Sequence, residues 1–178
     1  LHRYGIRTKE IGLNWAKADS RFDLSKEINE PNKVGYVVEI DPLNPNSTPK
    51  KHTALGRFKH ENAELVISKN GKIVVYMGDD ERGEYLYKYV SNKSINEVKD
   101  KSTLLSDGNL FAAKFNDNFT GEWLLLDTQT TGFSSKAEVC IFTRIAASKV
   151  GATTMDRPEW IASNPKKNEV CCCLTNNK

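Results

Sequence analysis

The chain has 178 residues, 38% apolar and 28% charged, with a formal net charge of +3. This composition reads as one soluble, globular domain rather than a disordered chain. No apolar run approaches the roughly 20 residues of a membrane helix, and the 26 basic and 23 acidic residues are spread too evenly for a nucleic-acid footprint.

The chain opens at Leu1 and its first methionine is Met77, which reads as a start downstream of a natural one and leaves the compartment open. The first thirty residues are polar and run into an expected loop at Asn29-Glu30-Pro31-Asn32. Residues 34–40 are a predicted strand, stopped by Asp41-Pro42-Leu43-Asn44-Pro45, where proline removes ladder donors. Residues 63–68 and 72–77 are β-rich and flank Asn70-Gly71, the strongest short hairpin signal in the chain. In residues 84–90, Tyr85, Tyr87 and Tyr89 alternate with Leu86 and Lys88, so one face of that strand is aromatic. Residues 109–115 and 122–126 predict a second hairpin, turning at 116–121.

One helix stands apart. Ser135 with Glu138 fits a capping box, Val139, Phe142, Ala146 and Val150 share a face, and Gly151 supplies the C-cap. A last strand is expected at residues 169–174. Cys140 and the run Cys171-Cys172-Cys173 lack metal-finger spacing. They read first as small buried apolar residues, with redox or metal chemistry as the alternative; in a strand, Cys171 and Cys173 face one way and Cys172 the other.

About six or seven short strands joined mostly by hairpins make an antiparallel all-β protein with one inserted helix. A sandwich, a barrel and a propeller all fit. A propeller blade takes four strands over roughly 40 to 50 residues, so the chain would hold about two to three blades of an incomplete ring, residues 1–178 forming part of a single domain.

Charge concentrates in three segments at element boundaries: Gly56-Arg57-Phe58-Lys59-His60-Glu61, Gly78-Asp79-Asp80-Glu81-Arg82, and Met155-Asp156-Arg157-Pro158-Glu159-Trp160. Carboxylates supply the oxygen donors that a hard cation wants, and arginine adds a planar fork for phosphate oxygens. Together they suggest a metal-assisted phosphoryl site. Plainer readings stand beside this one. On sequence alone Gly78-Asp79-Asp80-Glu81 reads more often as a solvated turn, His60 as a surface or packing histidine, Asp156-Arg157 as a structural pair, and Pro158 as a break after the helix. Asn116-Asp117-Asn118 imitates the start of a calcium loop but lacks its closing glutamate, and reads as a hairpin turn.

The same segments carry a resemblance. Asn29-Glu30-Pro31-Asn32, Gly35-Tyr36-Val37-Val38-Glu39-Ile40-Asp41-Pro42 and Thr53-Ala54-Leu55-Gly56-Arg57-Phe58-Lys59-His60-Glu61 follow one another in the order seen in PhoX-type alkaline phosphatases. Val75-Tyr76-Met77-Gly78-Asp79-Asp80-Glu81-Arg82, then Gly151-Ala152-Thr153, then Met155-Asp156-Arg157-Pro158-Glu159-Trp160-Ile161 and Leu174-Thr175-Asn176-Asn177 continue it. The chain is identified on these motifs as resembling an internal piece of that family from about Arg21 onward, least closely over residues 92–149.

The resemblance implies a monomeric, exported (periplasmic or secreted) β-propeller enzyme that hydrolyses phosphomonoesters with calcium and iron at the propeller axis. Carried over by motif, Glu61 and Glu159 ligate metal and Arg157 contacts the substrate phosphate, with Arg57 expected to join it. Asp79, Asp80, Glu81 and Asp156 are further possible metal ligands. The family's iron-ligating cysteine belongs to a segment upstream of the part matched here, and more acidic ligands lie downstream. The expectation is therefore that this polypeptide alone is inactive; the alternative is a propeller module that binds calcium without catalysis. Arg57, Glu61, Arg157 and Glu159 are expected to converge on one region.

Overall fold

The structure, a computed structural model, describes residues 2–7, 12 and 14–175; Asn176 and Asn177, which carry part of the resemblance, lie outside them. The chain divides into two units, Leu1–Gly35 and Tyr36–Lys178.

The first unit is built of short helical turns. Helix α1 (Trp15–Ala18) leads into a 3-10 turn at Ser20–Phe22, capped by the Asp19 side chain, which accepts from the Arg21 N–H. The Trp15 and Phe22 rings stand 6.1 Å apart. The loop expected at Asn29-Glu30-Pro31-Asn32 is instead a 3-10 helix, Glu30–Lys33, with Pro31 near its start. Proline is favoured there because the first helical N–H needs no partner and φ is already set.

The second unit is mostly β, as the hairpin pattern predicts. Strand β1 (Val37–Glu39) pairs with β2 (Lys50–His52), shorter than the 34–40 run suggested. Then come β3 (Glu64–Ile67), β4 (Lys72–Gly78), β5 (Arg82–Glu84), β6 (Leu86–Ser94), β7 (Gly108–Phe115) and β8 (Gly121–Leu125). Five of these form one antiparallel sheet in the order β3-β4-β6-β7-β8, with β5 standing out of it. The first hairpin turns at Asn70-Gly71 with Gly71 at φ 77, a left-handed conformation that glycine takes without penalty. The second turns over 116–120, where the Asn116 N–H donates to the Thr120 carbonyl at 2.9 Å.

The predicted single helix is two. After α2 (Thr128–Thr131), missed in the sequence, come α3 (Lys136–Ile141) and α4 (Thr143–Lys149), separated at Phe142 with φ −107 and ψ 39. The Thr143 hydroxyl bonds back to the Cys140 carbonyl at 2.7 Å, an interaction that bends helices. Ser135 does cap α3, but Glu138 reaches the Ser134 N–H rather than that of Ser135, so the capping box is not closed. The segment after the helix, where Pro158 read as a break, forms strands: β9 (Met155–Asp156) pairs with β5, and β10 (Pro158–Ser163) pairs with the expected last strand, β11 (Val170–Leu174). Eleven strands are thus present among the described residues, against the six or seven expected.

Alternation along β4, β6 and β7 sorts the core into two layers. Ile73, Val75, Met77, Tyr85, Tyr87, Tyr89, Leu110 and Ala112 face α3, α4 and residues 54–58. On the other face, Leu86, Ala113 and Ile161 pack with Tyr76, Trp123, Val170 and Cys172 beneath the β10–β11 hairpin. Helices, sheet and hairpin stack in that order, each burying one apolar face. Cys140 is buried as expected, but Cys171 and Cys173 are exposed; only Cys172, on the opposite side of β11, packs inward.

Candidate functional site

The end of β4 brings the three charged segments together. Residues 59–61 run beside it: the Asp80 N–H donates to the Lys59 carbonyl at 3.0 Å and the Glu61 N–H to the Gly78 carbonyl at 3.3 Å. The third segment arrives through β5–β9, where Arg82 stands opposite Asp156. It is pressed close at Gly78, where a Cβ would meet the Pro158 and Glu159 carbonyl oxygens at 2.5 and 2.6 Å. Only glycine permits that approach. Further along, Asn62 and Ile161 exchange two hydrogen bonds, at 2.8 and 3.1 Å, and the Ser163 N–H donates to Glu64 at 2.9 Å. Residues 61–64 and 159–163 therefore run alongside each other, and Glu61 and Glu159 both flank Gly78.

The corner has an outer and an inner side. On the outer side, Arg157 directs Nε and Nη2 to the Asp80 carboxylate, both at 2.9 Å, and Nη2 also lies 3.4 Å from Glu159. These three side chains are partly exposed, and Glu61 is exposed beside them. Arg157 sits at φ 54, in left-handed backbone that costs an L-residue about 1–3 kcal/mol. Its partner is thus Asp80, seventy-seven residues away, rather than the adjacent Asp156, which is exposed. Glu81 pairs with Lys59.

On the inner side lies a pair the sequence analysis missed. Arg144 of α4 and Asp79 are both fully buried and meet edge to edge, Nε to Oδ2 at 2.7 Å and Nη2 to Oδ1 at 2.6 Å. Asp79 also accepts the Lys59 N–H at 3.2 Å, and Glu84 stands 3.8 Å from Arg144. Burial pushes the Asp79 carboxyl up to about 6, against the pull of the guanidinium. The sequence did hold a signal: in the run from Val139 to Ala147, Arg144 is the one charged residue. A charge carried into a core needs a carboxylate.

His60 is a packing histidine. Its ring stacks on Phe58 with centroids 3.7 Å apart, Nε2 lies 3.0 Å from the Gly56 carbonyl, and burial lowers its pKa to about 4. Arg57 is buried at the break between α3 and α4. There its N–H takes the Cys140 carbonyl and its Nε the Ile141 carbonyl, both at 2.9 Å. The structure therefore brings Glu61, Asp80, Arg157 and Glu159 to one corner and turns Asp79 and Arg57 inward.

Carboxylate oxygens suit calcium in kind, but Asp80 and Glu159 are engaged by a guanidinium. Among the described residues no three His, Cys, Asp or Glu side chains are grouped to hold a metal ion. By themselves these residues do not make up a calcium or an iron site. No helix among them is long and apolar enough to cross a membrane.

The profile of the family described as alkaline phosphatase PhoX matches residues 1–178. A solved structure, Pseudomonas fluorescens PhoX in complex with vanadate, a transition state analogue, is 49% identical with a TM-score of 0.90. The match covers 99% of this chain and 33% of that one, so the chain spans a third of that protein's length. No curated protein sequence matches.

Proposed function

Because the chain belongs to the PhoX alkaline phosphatase family, we propose that it carries part of the active site of a phosphomonoester hydrolase, with Arg157 as the group that receives the substrate phosphate. The observation that carries this reading is the convergence of three charged segments on Arg157, held at φ 54 between Asp80 and Glu159. Backbone strain maintained by surrounding contacts is found where a side chain must be aimed. A guanidinium offers a flat pair of donors that matches two phosphate oxygens, and Asp80 on Nε and Nη2 fixes its plane. The vanadate bound by the Pseudomonas fluorescens protein supports an oxyanion as the ligand.

The remaining features follow the family. The enzyme depends on calcium and iron, and Glu61 and Glu159 contribute carboxylates to metals whose other ligands lie outside this set. Of the further carboxylates, exposed Asp156 is available to assist, whereas Asp80 holds Arg157, Glu81 pairs with Lys59, and Asp79 and Arg57 support the corner from within. The sheet belongs to an incomplete β-propeller of about two to three blades. The complete enzyme is a monomer in the periplasm or outside the cell, and these 178 residues alone are inactive.

The test is hydrolysis of p-nitrophenyl phosphate by the complete protein carrying these residues, with and without calcium. Arg157→Lys replaces the fork by a point charge and raises KM about tenfold or more, while calcium dependence persists. Glu159→Gln weakens the calcium response, because an amide holds a hard cation less well than a carboxylate. Unchanged KM in Arg157→Lys sinks the phosphate role. Calcium binding without any hydrolysis by the wild type favours the non-catalytic module.

A further inference from the structure

Arg144 lies on the inner side of the corner, yet two of its three charged segments meet at the carboxylate it holds, and the third reaches them through Asp80. Asp79 receives Arg144 edge to edge. The same carboxylate accepts the Lys59 N–H, two residues before Glu61. Asp79 directly precedes Asp80, which orients Arg157. The Asp79 N–H is tied to the Tyr85 carbonyl at 3.2 Å, and Glu84 of β5 flanks the guanidinium at 3.8 Å. Helix α4 thereby reaches the 59–61 segment, the end of β4 and the β5 strand through one side chain.

We infer that Arg144 is a positioning residue for the phosphate site: through Asp79 it fixes where Asp80 and Glu61 stand, and hence where Arg157 points. The inference rests on the phosphate reading of Arg157. Its physical basis is directional. A buried ion pair is a poor source of net stability, since apolar residues of the same volume hold a core as well. What it supplies is a fixed bidentate geometry in a place where Asp79 has no freedom to rotate. An adjacent residue on the same backbone inherits that geometry. Asp80 must point outward because Asp79 is locked inward.

The decisive variant is the double substitution Asp79→Asn with Arg144→Gln, which removes both charges and leaves two amides to bond each other and the Lys59 N–H. Arg144→Lys, which keeps the charge and loses the fork, is read in parallel should the double variant fail to fold. Three quantities are measured on the complete protein: thermal midpoint, affinity for inorganic phosphate, and amide hydrogen exchange. The expected result is phosphate bound at least about tenfold more weakly and faster exchange at Lys59, Glu61 and Asp80, with any fall in the midpoint set by buried Glu84, which loses the same cation. Exchange in β7 and β8 stays as it was. Wild-type phosphate affinity and wild-type exchange at those amides would overturn the inference. So would an equal acceleration throughout the sheet, which marks Arg144 as general support. Arg157→Ala separates the two claims: if it binds phosphate as the wild type does, the phosphate reading fails, and the exchange pattern alone judges Arg144.

Discussion

Asp79 and Asp80 are neighbours in the chain, each paired with an arginine, and they occupy opposite surroundings. Asp79 is fully buried, bonded edge to edge by an Arg144 that is itself buried. Asp80 is partly exposed and holds an Arg157 whose side chain is 38% exposed. Just past the end of β4, Asp79 bridges to His60 and turns inward while Asp80 turns outward, so one Gly-Asp-Asp motif furnishes both an inner anchor and an outer partner for Arg157. Identical chemistry then has different consequences. The inner pair has lost its water and cannot lose a partner, whereas the outer pair retains water as a substitute. Charge on the inner side of this corner is shut away from solvent, and on the outer side solvent reaches it.

The largest effect that tests this contrast is Arg144→Met. It keeps the volume of the side chain and strands the Asp79 charge in the core. The expected loss is about 3–5 kcal/mol in urea unfolding. A loss below about 1 kcal/mol, the range of exposed pairs, would erase the distinction between the two sides.

Next comes Gly78→Ala, which acts where the two sides join. The added carbon would lie within 2.6 Å of the Pro158 and Glu159 carbonyl oxygens, both backbone atoms with no rotamer to yield. Overpacking of this kind costs about 1–3 kcal/mol. Moving 158–159 also displaces Arg157, so phosphate affinity falls with stability. An alanine variant with normal affinity would mean that the outer site does not depend on this contact.

Smaller again is the response to acid. Burial lowers the His60 pKa from 6.5 to about 4, so the folded protein holds the neutral ring and the unfolded chain binds a proton first. The stability this contributes is full above pH 6.5 and is lost as pH falls toward about 4. Between about pH 7 and about pH 5.5 the decline from this group is about 1 kcal/mol. His60→Gln, which keeps a donor for the Gly56 carbonyl, flattens that part of the profile. An unchanged slope would place His60 in water.

Legibility in the sequence followed the distance over which each feature is encoded. The hairpins at Asn70-Gly71 and 116–120 and the inward tyrosines Tyr85, Tyr87 and Tyr89 were readable because turn and period are local. The three charged segments were readable as motifs and in the structure share one corner. The inner pair was not, since sixty-five residues separate Asp79 from Arg144 and no local pattern links them. The helix break at Phe142 was hidden for a related reason. The carbonyls of Cys140 and Ile141 are taken by Arg57, more than eighty residues upstream. The strand β10 was overlooked because Pro158 opens it, and proline is tolerated as the first residue of a strand.

The sharpest comparison, and at position 80 the smallest effect on stability, comes from making one substitution at both neighbours. Asp→Asn exchanges an oxygen for an amide nitrogen and changes almost nothing in size. At position 79 the amide oxygen keeps one bond to the Arg144 guanidinium, while the new NH2 meets its other N–H donor against donor with no water to intervene, and stability falls by about 3 kcal/mol or more. At position 80 the carboxylate that fixes Arg157 becomes neutral in a place water can reach. Arg157 keeps Glu159 at 3.4 Å, and the expected cost is below about 1 kcal/mol. That small cost also shrinks with added salt, because the exposed pair is screened and the buried one is not. Phosphate affinity responds in Asp80→Asn all the same, since the plane of the guanidinium loses its fixed partner. Urea unfolding of the two variants at low and at high salt makes the measurement. Equal losses at the two positions, or a salt-sensitive loss at 79, would show that the inner and outer aspartates are not the different instruments their burial implies.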